Sequence, residues 1–263
     1  MTGAGAVTAL VLLEWTVGWV AIAAWSQSWD VIKRGHFRIT AWGALLLGVA
    51  AGWATFATLQ VVPDASTTEG LVIAGAVLLV VFLAVQYSNT DLPGVVVGSV
   101  VGLLGLYLLL DIAAYIDGWQ RFLAWLHLAV GALALGGVTN GMMLGHWYLN
   151  QPGLKPWALA RLTNLALVAC GASLALGLAT VSPLSSASTE GAALGIQGFG
   201  GDFGLFFYGI WVALVVFTGA VVWMARRCIQ IRSIQSATGL YYVAILTAGV
   251  SEFVLRYLMV NAQ

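Results

Sequence analysis

Charge is scarce in this chain. Only 8% of its 263 residues are Asp, Glu, Lys or Arg, against about a quarter in a soluble domain. No segment is both long and polar enough to fold as a domain in water, which excludes a soluble enzyme. Ten basic residues balance ten acidic ones, leaving no positive surplus with which to hold nucleic acid. Two cysteines, Cys170 and Cys228, are too few for a disulfide or metal framework and read as small packing residues. Histidine is equally sparse. Haem in a membrane bundle takes two histidines at one depth on facing helices, whereas His127 and His146 lie on one apolar stretch, roughly 28 Å apart along a helix. His36 and His146 fall near one face, but the basic neighbours of His36 mark it as a solvated side chain. The five prolines all stand at or beyond the ends of apolar runs, so no span is broken midway.

What the chain has in abundance is hydrophobic length. Apolar residues make up 61% of it and the mean hydropathy is +0.96. Runs long enough to cross a hydrocarbon core cover about 5–25, 40–62, 70–87, 93–116, 121–148, 157–181, 203–225 and 238–260. The expected fold is an all-α polytopic membrane protein with eight transmembrane helices. The first run has no basic flank and contains Glu14 with no cleavage site after it, so it reads as a retained helix.

Eight of the ten Lys and Arg residues fall in three short stretches between runs: Lys33, Arg34 and Arg38; Lys155 and Arg161; Arg226, Arg227 and Arg232. The intervening connections carry Asp64 and Glu69, Asp117, and Glu190 and Asp202. By the positive-inside rule the basic loops are cytoplasmic and both termini lie outside. Arg38-Ile39-Thr40 and Arg161-Leu162-Thr163 each open a span, and Trp25 and Trp147 precede them by thirteen and fourteen residues. This register divides the chain into two tandem four-helix halves, 1–118 and 119–263, which share one orientation because each makes an even number of crossings. Chance similarity within low-complexity apolar sequence is the competing reading. Gly137, Gly141 and Gly145, one turn apart with Gly131 and Gly136 nearby, mark a seam for close helix packing. The long connection 182–202 reads as a flexible loop.

Ionisable groups at membrane depth are costly and so are functional candidates. Glu14 lies roughly 15 Å from the outer end of its span, and Asp111 and His127 each roughly 9 Å from theirs. Asp111, Tyr115, Asp117, Trp119, Arg121, Trp125 and His127 flank one tight turn. A carboxylate, a phenol and an imidazole backed by tryptophans suit a quinone headgroup, which needs donors for its carbonyl oxygens and a group that exchanges protons. An interfacial aromatic belt with solvated charges is the structural alternative. Glu252 and Arg256 are spaced i,i+4 and neutralise each other on one helix, whereas Glu14 has no helix-mate of opposite charge and is the stronger candidate for proton handling.

Eight helices in two halves, no cofactor ligands, and the set Glu14, Asp111, Tyr115 and His127 with the Arg38/Arg161 repeat resemble the membrane subunit of polysulfide-reductase-type (NrfD-type) quinone oxidoreductases. The resemblance is architectural and covers the whole chain. It implies a multi-pass subunit of a bacterial inner membrane complex that exchanges electrons and protons with menaquinone or ubiquinone. Partner subunits would carry the iron–sulfur or haem centres, with no haem or iron–sulfur cluster in this chain. Glu14, Asp111 and His127 would handle protons, and Tyr115, Trp125 and His127 would hold the quinone, near helices one, four and five. A small-solute or ion transporter, or a structural subunit of an energy-converting complex, is the alternative. The stretches Gly145–Leu149 and Gln235–Gly239 carry no chemistry that can be named.

The topology has a direct test. A cysteine at position 67 or 188 should react with an impermeant thiol reagent from outside only; reaction only from the cytoplasm would reverse the orientation.

Overall fold

The structure, a computed structural model, describes residues 1, 3–151, 156–186 and 203–261. Lys155, Glu190, Asp202 and the connection beyond residue 186, all used above, lie outside the described residues. Among the described residues, nine α-helices follow in order: α1 (Gly3–Gln27), α2 (Arg34–Leu59), α3 (Ser66–Val85), α4 (Leu92–Ile112), α5 (Arg121–Asn150), α6 (Trp157–Ala179), the short α7 (Val181–Ser185), α8 (Phe203–Gln230) and α9 (Ile234–Val260). A 3-10 turn, Ala113–Tyr115, extends α4. Eight of these are long and apolar enough to cross a membrane, where the backbone must satisfy its own hydrogen bonds within each helix. The described start of the 182–202 connection belongs to α7, whose Leu184 is fully buried.

Several helices run past the apolar spans into the basic loops. Helix α2 begins at Arg34 and not near residue 40, because arginines at a span's end can stay helical while their charged tips reach polar partners. Arg34 Nε donates to Asp91 Oδ1 at 3.1 Å, Arg38 Nε to the Gln86 carbonyl at 3.2 Å, and the Arg38 guanidinium lies 5.0 Å from the Tyr87 ring. Arg161 stacks on Trp25 and Trp29 at 5.2 and 5.1 Å. Arg34, Arg38 and Arg161 thus gather at one end of the bundle, here termed the basic end. At the far end the chain turns sharply into α5 through Gly118, at φ +76°, and the Gln120 side chain caps α5 by accepting from the Leu123 amide at 2.8 Å.

The helices pair in two rings of one pattern. In the first, α1 packs on α2, α2 on α3, α3 on α4 and α4 back on α1; in the second, α5, α6, α8 and α9 pair in the same order. The rings join mainly where α1 meets α5. Those two helices run parallel: Gly18 sits against Ala132 and Gly136, and one residue further along Asn140 donates to the Trp19 carbonyl at 3.1 Å. Burial follows this arrangement. The buried share of the span is 72% for α1, 61% for α5 and 56% for α9, and 39% or less for the other five, whose large apolar side chains, such as Leu46, Trp53 and Leu103, face outward to lipid.

Glycine permits the central contact. A Cβ on Gly18 would run into the Ala132 carbonyl, and one on Gly136 into the backbone of Gly18. Gly141 and Gly145 do form the expected seam, against Tyr241 and Thr238 of α9, while Gly137 faces Ala166 of α6. The first ring retains a narrow apolar cleft lined in part by Gly48, Gly52, Gly75 and Gly105. In the second ring the fully buried Trp211 indole is seated against Gly177.

Overpacking a tight core costs about 1–3 kcal/mol, so Gly18→Ala should lower the thermal unfolding midpoint of the detergent-solubilised protein. Gly171→Ala, where an added Cβ meets nothing within 4 Å, should leave it unchanged or raise it, since alanine is the better helix former.

Candidate functional site

The three most buried helices bring together the charges that the sequence left apart. Arg256 of α9 donates from Nε and Nη2 to Glu14 Oε2 of α1 at 3.0 and 2.7 Å, and from Nη2 to Glu252 Oε2 at 2.8 Å. The same Nη2 donates to the His127 backbone carbonyl of α5 at 2.8 Å, and Nη1 to the Met259 sulfur at 2.9 Å. Glu14 and Arg256 are fully buried and Glu252 is 2% exposed. Gly131 makes room for the cluster: a Cβ there would collide with the guanidinium and lie 2.7 Å from a carboxylate oxygen of each glutamate. The i,i+4 pairing of Glu252 with Arg256 is present, and Glu14 joins it from another helix.

Two carboxyls share one guanidinium here. The cluster is neutral only when one of them carries a proton, and Glu14 Oε1, buried and without a protein hydrogen-bond partner, is where the surplus is least compensated. Burying an unbalanced charge in a low-dielectric interior is far more costly than burying a neutral acid.

A second polar group sits near the end opposite the basic loops. Thr68 of α3 donates to Asp111 Oδ2 at 2.5 Å, which leaves its oxygen to accept from the Tyr115 hydroxyl at 3.0 Å. Arg121 pairs with Asp111 Oδ1 at 3.2 Å and donates to the Leu110 carbonyl at 2.9 Å. Asp111 is 20% exposed, and Tyr115 and Asp117 border an open depression completed by Val61, Val62, Pro63, Ala114 and Met1, whose amine donates to the Tyr115 carbonyl at 2.6 Å.

The sequence candidates therefore separate. Asp111 and Tyr115 meet through Thr68, which sequence reasoning missed because a lone threonine opening a helix carries no signal. His127 turns the other way: its Nε2 lies 3.0 Å from the Thr180 hydroxyl at the end of α6, and the Trp119 ring stands edge-on to it at 5.3 Å. Trp119 in turn donates to the Met259 carbonyl at 3.0 Å, tying the imidazole to the Arg256 cluster through packing. Trp125 donates to the Leu106 carbonyl at 3.0 Å. None of these bonds joins the His127 ring to Asp111 or Tyr115.

His36 requires a correction. Expected in solvent among basic residues, it is 1% exposed, because Trp147 of α5 covers it at 6.0 Å between ring centres and Phe37 packs at 5.0 Å. Its position on the first turn of α2 turns it inward although its neighbours Lys33, Arg34 and Arg38 are charged.

Removing one partner of a buried charge set leaves the others uncompensated, at about 3–5 kcal/mol. Arg256→Gln should therefore sharply lower the unfolding midpoint in detergent, whereas Glu14→Gln, which removes the surplus negative charge and keeps Glu252 and the His127 carbonyl on the guanidinium, should cost much less. Equal losses in the two variants would show that Glu14 carries its full charge in the fold. No family model, curated protein or solved structure matches this chain, and its function has to follow from its own residues and their geometry.

Proposed function

We propose that this chain is the membrane subunit of an electron-transfer complex that exchanges protons and electrons with a membrane quinone. The observation that carries the reading is the hydrogen-bonded run Asp111–Thr68–Tyr115 beside an open depression at one end of the bundle. Quinone reduction takes up two protons with two electrons, and each residue of this run supplies a needed part. The Tyr115 and Thr68 hydroxyls donate to a quinone carbonyl oxygen or accept from the quinol hydroxyl it becomes, Asp111 exchanges a proton with the nearby solvent, and Arg121 holds the carboxyl in place. Lipid-facing helices on both sides give an isoprenoid tail an apolar surface. The headgroup then sits between the α2–α3 connection and the 3-10 turn that follows α4, next to Met1. His127, bonded to Thr180, serves a supporting position and does not touch the headgroup directly. Electrons come from partner subunits, since quinone chemistry at this site requires a donor that these side chains do not supply.

A second reading, an ion- or proton-coupled transporter, draws on the Glu14–Arg256–Glu252 cluster, where an unpartnered carboxylate oxygen sits in the most buried part of the bundle. The two readings differ in what they move across the bilayer and in where substitutions act.

Leaving a buried polar group without its partner costs about 1–3 kcal/mol, roughly five- to more than a hundredfold in affinity. Asp111→Asn, Tyr115→Phe and Thr68→Val should weaken quinone-linked turnover of the native complex in this range while assembly is retained, and His127→Ala should act less strongly. Normal turnover in the first three, together with substrate-driven proton flux in liposomes lost in Glu14→Gln, would replace the quinone reading with transport.

A further inference from the structure

The basic end of the bundle holds a different polar feature that the quinone reading does not use. Among the described residues, eleven buried side-chain nitrogen or oxygen atoms have no protein hydrogen-bond partner. Six of them fall on one seam between α1, α2 and α5: Gln151 Oε1, Trp147 Nε1, His36 Nε2, Thr40 Oγ1, Trp19 Nε1 and Asn140 Oδ1.

Helix geometry sets these atoms in order. His36 and Trp147 face each other at 6.0 Å between ring centres, and Gly35 beside them presses on the Trp147 ring. Gln151, the residue that caps the end of α5, is nearer the end of the bundle, and Thr40 is one turn deeper on α2. Seven residues deeper on each helix, roughly 10 Å, lie Gly43 and Asn140. The Trp19 indole packs on Gly43 and the Trp19 carbonyl accepts from Asn140 Nδ2 at 3.1 Å, so these groups are again at one level. From Gln151 to Asn140 the row spans eleven residues, roughly 16 Å. It stops where Gly18 and Gly136 bring the α1 and α5 backbones into contact, one helical turn from Glu14.

The row's chemistry selects its occupant. The two indole N–H groups only donate, the two amide oxygens only accept, and His36 Nε2 and Thr40 Oγ1 do either. An anion would leave the amide oxygens facing negative charge, and a metal cation would face two N–H donors. Water does both, and buried polar atoms without protein partners are ordinarily satisfied by internal water. A dry row of six such atoms would be a penalty comparable with the whole stability of a domain.

We propose that the α1–α2–α5 seam holds a file of internal waters entering from the basic end and ending at the Gly18–Gly136 contact. It forms a polar inlet that reaches about a third of the way along α5 and closes just short of the Glu14–Arg256 cluster. The inlet is independent of any quinone at the opposite end.

Radiolytic hydroxyl-radical footprinting of the full chain in nanodiscs tests this, because radicals formed from bound water oxidise the buried side chains beside it. Trp19 and Trp147 should be oxidised several-fold faster than Trp15 and Trp125, which are half-buried like them but whose indole N–H groups donate to Thr139 and to the Leu106 carbonyl. Oxidation of Trp19 should fall in Thr40→Val and in Asn140→Leu. Rates at Trp19 and Trp147 no higher than at Trp15 and Trp125 would show a dry seam and overturn the proposal. Oxidation of Trp147 alone would also overturn it, by confining water to the mouth.

Discussion

A buried guanidinium that must find acceptors on three helices is the constraint around which this bundle is organised. Arg256 reaches Glu14 on α1, the His127 carbonyl on α5 and Glu252 on its own helix, and all of these groups are shut away from water and lipid. Its donors cannot be satisfied on α9 alone, so the relative rotation and height of α1, α5 and α9 are set together. That requirement explains the glycines. Gly131 clears space for the cluster, and Gly18 with Gly136 lets the α1 and α5 backbones come close enough for Glu14 to reach α9. In lipid, where burial of apolar surface gives no preference for one helix contact over another, close backbone packing and polar links of this kind choose the partner.

The two rings share a pairing pattern but distribute polarity differently. In the first ring the carboxylate of α4, Asp111, stays near the end of the bundle, partly exposed and held by Thr68 and Arg121. In the second, the corresponding fourth helix, α9, carries its carboxylate and arginine into the full interior. The first ring keeps an apolar cleft, and the second is plugged by Trp211.

Polar groups consequently occur at three levels. The rim cluster lies at the end opposite the basic loops, the ionic cluster at the α1–α5–α9 junction, and the row of unpartnered atoms runs from the basic end to the Gly18–Gly136 contact. That contact separates the last two. Backbone touching backbone leaves no room for a side chain or water, so a substrate or proton crossing the molecule would have to pass the point where the helices are packed most closely. The contact therefore interrupts any polar route between the two ends of the bundle.

The amino-acid sequence alone determined the class of molecule and the number and approximate position of its spans, because hydropathy over twenty residues is a local property that no tertiary contact can reverse. It also determined that Glu252 and Arg256 would meet, since four residues on a helix make neighbours, and that Gly141 and Gly145 would line a packing seam. Tertiary structure decided the rest. Glu14 and Arg256 are 242 residues apart, and helices apolar on nearly every side carry no polar stripe to tell which face turns inward. The same lack of a stripe hid the burial of His36 beneath Trp147, the reach of Thr68 to Asp111, and the turn of His127 toward Thr180. Each of these depends on the rotation of one helix against another, a quantity set by backbone approach at a few glycines and by one arginine's need for acceptors.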